Sequence, residues 1–190
     1  MTKKTFGPQP WLIPNPTVLV GSTFNGKPNF APFAWCGITG GEPPTVSVGV
    51  RPQRHTLKGI YQNLTFSVNI PSVDLIKETD YCGMVSGLDT DKVKTCGFKV
   101  FYGKLLDAPL IEQCPVNLEC EVAHLLNLGS HILIVGKIIE SHVTEDCLTD
   151  GQPDIMKIRP FVYSRGPAAR YNAVGEVIGQ AYDIGKALKK

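Results

Sequence analysis

The chain has 190 residues, enough for one domain that buries roughly 70% of the surface exposed by its unfolded form. With 43% hydrophobic and 19% charged residues it reads as an ordinary globule, which excludes a disordered or fibrous chain. The net charge is only +2, there is no basic tract, and no apolar run approaches the ~18 residues of a membrane span. The start, MTKKTFGPQPWLIP, lacks the apolar stretch of a secretory signal, so the expected setting is the cytoplasm, with no nucleic-acid or membrane partner. Six cysteines are scattered without any C-x-x-C pair, which predicts free and mostly buried thiols and no metal site.

Pro16–Phe24 and Lys27–Trp35 are β-rich runs around Asn25-Gly26, the strongest short hairpin signal because a type I′ turn needs positive φ at both positions. A Gly-Gly-Glu-Pro-Pro corner separates them from a third strand, Thr45–Val50. Thr56–Gln62 reads as a short helix with Thr56 as its N-cap. Thr65–Ile70 alternates, with Phe66, Val68 and Ile70 facing in and Ser67 and Asn69 facing out. Ser72 then caps a helix over Val73–Asp80. The stretch from Thr79 to Lys92, TDYCGMVSGLDTDK, reads as an ordered functional loop before helical sequence at Thr90–Cys96. Val116–Leu126 and Ser130–Val143 should pair across Asn127-Leu128-Gly129, and Ile158–Tyr163 is a last strand. The Gly-rich remainder reads as a loop and a frayed terminal helix. Six to eight strands with short inserted helices predict a mainly β, closed or nearly closed antiparallel barrel in a single domain, with its core over about 11–165 and an extension from 166 to 190. No G-x-G-x-x-G opens a βαβ unit.

Three segments carry chemistry. Arg51, Arg54, His55, Thr56 and Lys58 concentrate phosphate donors just before a helix, although a solvated basic turn has the same composition. Ala31–Cys36 alternates Phe33 and Trp35 with small Ala34, which fits either a core strand or the slot for a flat aromatic ligand. Tyr81–Gly87 supplies Ser86, two glycines and a backbone nest, or simply a helix-ending loop. Lys92 lies where it could close on a phosphate, but a surface lysine is the commoner explanation for such a residue. His131, at a strand mouth, fits a nicotinamide contact or an exposed hairpin. No G-x-S-x-G or paired carboxylates point to hydrolysis.

Taken in order, PNPTVLVGS, NGKPNFAPFAWCG, PPTVSVGV, RHT, FSVNIPS, DYCGMVSG, DAPLIE, LECEV and GSHILIVGKI resemble the flavin reductase-like FMN-binding split-barrel family, and within it the flavoredoxin-type branch. The resemblance runs from about Pro16 to Gly185. It implies a split barrel and a homodimer with FMN between its subunits. Asn29, Ala31, Pro32, Phe33, Ala34, Trp35 and Cys36 would line the ring. Val48, Gly49, Val50 and Arg51, with Arg54, His55 and Thr56, would serve the ribityl phosphate. Cys82, Gly83, Ser86, Gly87 and Lys92 would close the site, and His131 would lie on the nicotinamide side. Two features depart from the family pattern. Gly40-Gly41-Glu42-Pro43-Pro44 stands where the reductases often carry S-x-x-P-P, and Cys36 is not general to the family.

The implied activity is that of an FMN oxidoreductase or electron-transfer protein, reduced by NAD(P)H or a redox partner protein. A reductase of diffusible FMN or FAD, and a non-catalytic flavin- or haem-binding module on the same barrel, are the alternatives.

Overall fold

The structure is a computed structural model and describes residues 1–166 and 169–189. Seven strands form one antiparallel sheet: β1 (Val18–Phe24), β2 (Lys27–Phe33), β3 (Cys36–Gly41), β4 (Pro44–Val50), β5 (Thr65–Ile70), β6 (Val116–Asn127) and β7 (Ile132–Val143). Their spatial order is β2-β1-β5-β6-β7-β4-β3. The sheet curls until Gly49 N donates to Trp35 O at 2.8 Å, bringing the end of β2 against β4. Val20, Ala31, Phe33, Val48, Phe66 and Ile134, from five strands, fill the interior. The result is a barrel left open along one seam, the split barrel that the strand pattern implies.

Helices decorate the outside: α1 (His55–Asn63), α2 (Ile76–Met84), α3 (Lys92–Cys96) and α4 (Ile155–Ile158). A second apolar cluster, with Leu19, Phe30, Cys82, Phe98, Ile111 and Cys114, packs α2 and α3 onto the outer face of β1 and β2. The β1–β2 turn has φ of 50° at Asn25 and 72° at Gly26, as a primed turn requires, and pairs Phe24 with Lys27. β6 and β7 form the long hairpin, with irregularities between Val135 and Gly136 and between Ile138 and Glu140. A side chain at Gly136 would collide with the Phe66 ring, so the close approach there requires glycine.

Several expectations need correction. Trp35 lies beyond the end of β2, and the Gly-Gly-Glu-Pro-Pro corner is the far end of an additional edge strand, β3, turned at Glu42-Pro43. Thr56 is not the N-cap of α1. Arg54 occupies that position without a side-chain cap bond, because the Thr56 hydroxyl is buried and engaged by Asn29. Ser67 and Asn69 do not face solvent. Their side of β5 is covered by the Pro109–Ile111 segment, to which Ser67 donates at Pro109 O. The Asn69 amide donates to Leu19 O (2.9 Å) and Ser67 Oγ (2.9 Å) and accepts from Ile111 N (3.0 Å) and Asn117 (2.8 Å). All four of its bonding positions are filled.

Ser72 does cap, accepting from Asp74 N at 3.3 Å, but the helical segment continues to Met84 and absorbs Tyr81–Met84 from the expected loop. The last strand begins at Phe161 because Ile155–Ile158 is helical and Arg159 turns left-handed. Arg170–Ala173 pairs with Phe161–Ser164, and only Ile184–Leu188 of the tail is helical, as a 3-10 turn. Pro167, Ala168 and Lys190, within the expected extension, lie outside the described residues. All six cysteines are free, and three are buried. Among the described residues no helix is long and apolar enough to cross a membrane.

Candidate functional site: a cationic cleft between two helices

A cleft of about 350 Å³ opens between β2, the start of α1 and the segment that ends α2. Its floor is Asn29 and Ala31. One wall is Arg51 to Thr56, and the other is Gly83 to Gly87 with Lys92. The start of α1 is anchored from below, where Ser22 Oγ donates to Thr56 O at 2.8 Å. Asn29 Nδ2 donates to Thr56 Oγ1 at 2.9 Å, which fixes both side chains at the bottom of the cleft. Asn29 Oδ1 and His55 Nδ1 are buried in this cleft with no hydrogen-bond partner among the described residues. Seven buried side-chain polar atoms lack a partner among the described residues, and these two are the pair that border a cleft, where a ligand could serve them.

The electrostatics select an anion. The helix start has no side-chain cap and no acidic residue in its first turn. The amides of His55 and Thr56 precede the first intrahelical bond, Leu57 N to Arg54 O at 3.1 Å, so they remain available to a ligand. Arg51 and Arg54 lie alongside, and Arg54 reaches across to Gly83 O at 3.4 Å. Lys92 is only 4% exposed, so it is no surface lysine: its ammonium donates to Cys82 O (2.7 Å) and Phe30 O (3.0 Å). Two of its three N–H groups are thereby used, leaving one for the cleft. Burial lowers the Lys92 pKa. Burial, with Lys58 and Lys92 nearby, also lowers that of His55, which favours a neutral ring.

Glycines make the room. A Cβ at Gly87 would collide with the Asn29 carboxamide, and one at Gly83 would come within 2.9 Å of the Pro32 ring. The flanking segment of α2 can therefore lie close to β2 only without side chains at these positions.

Beyond Arg51 and Arg54 the cleft continues into a shallower depression of about 340 Å³, bordered by Pro32, Phe33, Ala34, Trp35, Gly49, His131, Tyr163 and Arg165. The Trp35 and His131 rings pack 4.5 Å apart with a 38° tilt, and Ser130 Oγ lies 2.9 Å from His131 Nδ1. Burial and then Arg51 hold the His131 pKa below its ordinary value.

The structure thus brings together Asn29, Ala31, Arg51, Arg54, His55, Thr56, Gly83, Ser86, Gly87 and Lys92 at one end, and Pro32, Phe33, Ala34, Trp35, Gly49 and His131 at the other. Four expected site residues stand apart. Val48 and Val50 point into the barrel, since alternate residues of β4 face inward and only Gly49 between them borders the depression. The Cys82 thiol is buried in the outer cluster, so only its carbonyl acts here, on Lys92. Cys36 lines a separate groove beyond Trp35, and burial pushes its pKa up to about 12, which keeps it a thiol near neutrality.

Sequence reasoning missed Gln53, Met84 and Val85 at the first end and Tyr163 and Arg165 at the second. The first three sit inside segments already singled out. The last two carry no local signal.

A half-open antiparallel barrel with an uncapped helix start and a cationic cleft defines a binding fold for a phosphate-bearing ligand. The model of the flavin reductase like domain matches residues 12–170, and the chain belongs to that family. Within the family its likeness is to the flavoredoxin branch. The flavoredoxin from Methanosarcina acetivorans is 38% identical, with a TM-score of 0.94 over 99% of this chain and 100% of its own. The flavoredoxin of Desulfovibrio vulgaris (Miyazaki F) is 32% identical, with a TM-score of 0.89 over 97% of this chain and 100% of its own. An uncharacterized protein of Archaeoglobus fulgidus is 32% identical over 146 residues, 76% of this chain and 81% of the relative.

Proposed function

We propose that this chain is an FMN-binding oxidoreductase or electron-transfer protein working as a homodimer in the cytoplasm. The observation that carries the reading is the pair of unpartnered buried atoms, Asn29 Oδ1 and His55 Nδ1, in a cleft whose other donors select an anion. The His55 and Thr56 amides, the Thr56 hydroxyl and the Arg51, Arg54 and Lys92 cations would hold the phosphate. The depression from Pro32 to His131 would take the ring. Both flavoredoxins and the family description agree with that ligand.

When bound, FMN supplies electron transfer, singly or as a hydride pair, between a donor and an acceptor. The protein's own residues bind and orient. Gly83 and Gly87 let the α2 segment approach β2. Trp35 and His131 form an aromatic wall beside which a nicotinamide, or the surface of a redox protein, would be placed. The six free thiols accord with a reducing compartment.

A second reading, reduction of diffusible flavin, draws on the openness of the ring end in one chain, where Trp35 is 39% exposed. Purified protein distinguishes the two. Stoichiometric flavin absorbance that survives gel filtration, and is bleached by anaerobic NADH, NADPH or a one-electron donor, supports the first. NAD(P)H oxidation that saturates with added free flavin supports the second. Protein that neither retains nor reduces flavin refutes both.

A further inference from the structure

Two apolar surfaces have nothing lying on them among the described residues. One is the C-terminal arm. Every described residue from Val174 onward is exposed, and Val177, Ile178, Tyr182, Ile184 and Leu188 stand in solvent, Ile178 at 95% and Tyr182 at 100%. A solvated tail is ordinarily poor in such residues.

The other is a groove of about 720 Å³ beyond Trp35, lined by Trp11, Trp35, Cys36, Leu128, His131 and Leu133 among others, with no contribution from the arm. It adjoins the ring end of the cleft, sharing Trp35 and His131 with it.

The arm has a defined path nonetheless. The family match ends at residue 170, whereas the likeness to the Methanosarcina flavoredoxin covers 99% of this chain at a TM-score of 0.94. A score that high over that length requires at least part of the arm to run similarly in that solved structure. The arm is therefore positioned, and little within its own chain positions it. Residues 174–180 carry no helical turn, and extended chain spans ~3.3 Å per residue, so they alone reach on the order of 20 Å, far enough to lie on the surface of a neighbouring subunit.

We propose that the two copies of a homodimer exchange these arms. Each seats Val177, Ile178, Tyr182, Ile184 and Leu188 in the Trp35–Leu128 groove of the other. The exchange is isologous and closes on itself, as a two-fold dimer requires. The partner's arm then forms the outer wall beside Trp35 and His131, completing the ring end of each site. This rests on the second copy proposed above and not on the identity of the cofactor.

The test uses full-length holoprotein in which Ile178, and separately Tyr182, is replaced by the photoreactive p-benzoylphenylalanine. Each is mixed and re-equilibrated with a ¹⁵N-labelled copy before irradiation. Adducts joining the arm of one isotopic copy to peptides holding Trp35 or Leu128 of the other are expected. Adducts confined to one chain, or to another surface of a dimer, overturn the proposal.

A second measurement needs no adduct. The chain has only two tryptophans, Trp11 and Trp35, and both line the groove. Deleting 174–190 should shift tryptophan emission to the red and raise the dimer dissociation constant at least ten-fold by sedimentation. Unchanged emission and unchanged dimerisation overturn the arm exchange. If full-length protein is monomeric at every concentration, the second copy falls with it, while flavin content, read by visible absorbance, tests the cofactor separately.

Discussion

The two ends of the cleft are built differently. At the cationic end Asn29, Thr56 and Lys92 are buried and tied by hydrogen bonds to each other or to the backbone of β2 and α2. At the ring end Trp35 and His131 are partly exposed, held by backbone bonds at Trp35 O and His131 O, by the Ser130 hydroxyl beside His131 Nδ1 and by the packing of their rings. A charged ligand group entering the first end meets donors already in place, so little ordering cost opposes binding. The second end is adaptable, suited to a surface where molecules come and go. On the function proposed above, retention and turnover fall to different residues, and substitutions should separate them.

Lys92→Met should have the largest effect. It strips two buried carbonyls of their donor and removes a cation, costing about 2–4 kcal/mol of stability in a denaturant titration and most of the bound flavin. Wild-type stability and flavin content would show that the cationic end is not built on Lys92. Gly87→Ala places a methyl group against Asn29, so flavin occupancy in the 450 nm region should fall at least ten-fold, with a smaller loss in Tm than in Lys92→Met. Full occupancy would mean that the Gly87 wall is remote from the ligand.

Thr56→Ala should weaken flavin binding by ~1–3 kcal/mol in a fluorescence titration, with Thr56→Ser recovering most of it. Equal affinity in all three proteins would take the hydroxyl out of the site. At the ring end the pattern should invert. His131→Ala should leave flavin content intact and slow reduction by NAD(P)H in stopped-flow measurements, and an unaltered reductive half-reaction would refute the nicotinamide role.

The smallest effect concerns pH. The folded protein holds His55 below its ordinary pKa of 6.5, so it binds this proton less readily than the unfolded chain. The resulting stability is complete above about pH 6.5 and declines as pH falls through that value toward the lower folded pKa. In flavin-free protein, Tm between pH 7.5 and 5.5 should slope less in His55→Asn than in wild type, and parallel slopes would contradict the burial argument.

Legibility followed the range of the interactions. The β1–β2 and β6–β7 hairpins were readable because alternation and turn residues are local. β3 was invisible, since three of its six residues are glycine and its edge position leaves no apolar face. Ser67 and Asn69 misled because their side of β5 is covered by a segment some forty residues later, as the Ser67–Pro109 bond shows. Within the site, Arg54–Thr56 and Gly83–Gly87 stood out as clusters. Lys92 was legible as a candidate phosphate contact but not as a buried residue, because one of the carbonyls that bury it belongs to Phe30, 62 residues earlier. Tyr163, in the Phe161–Ser164 strand, and Arg165 just after it reach the ring end only through long-range packing.

The Asn25-Gly26 turn has a consequence for how the molecule ages. An exposed asparagine followed by glycine is the sequence most prone to spontaneous deamidation, and this is the only Asn-Gly in the chain. The isoaspartate that forms adds a backbone carbon to a two-residue turn that sets Phe24 opposite Lys27. The lesion would strain the strand that carries Asn29 and Ala31 into the cleft. Asn69, with its amide saturated and isoleucine after it, is shielded from the same chemistry. Stored protein should therefore lose its ligand-binding floor before it loses its barrel.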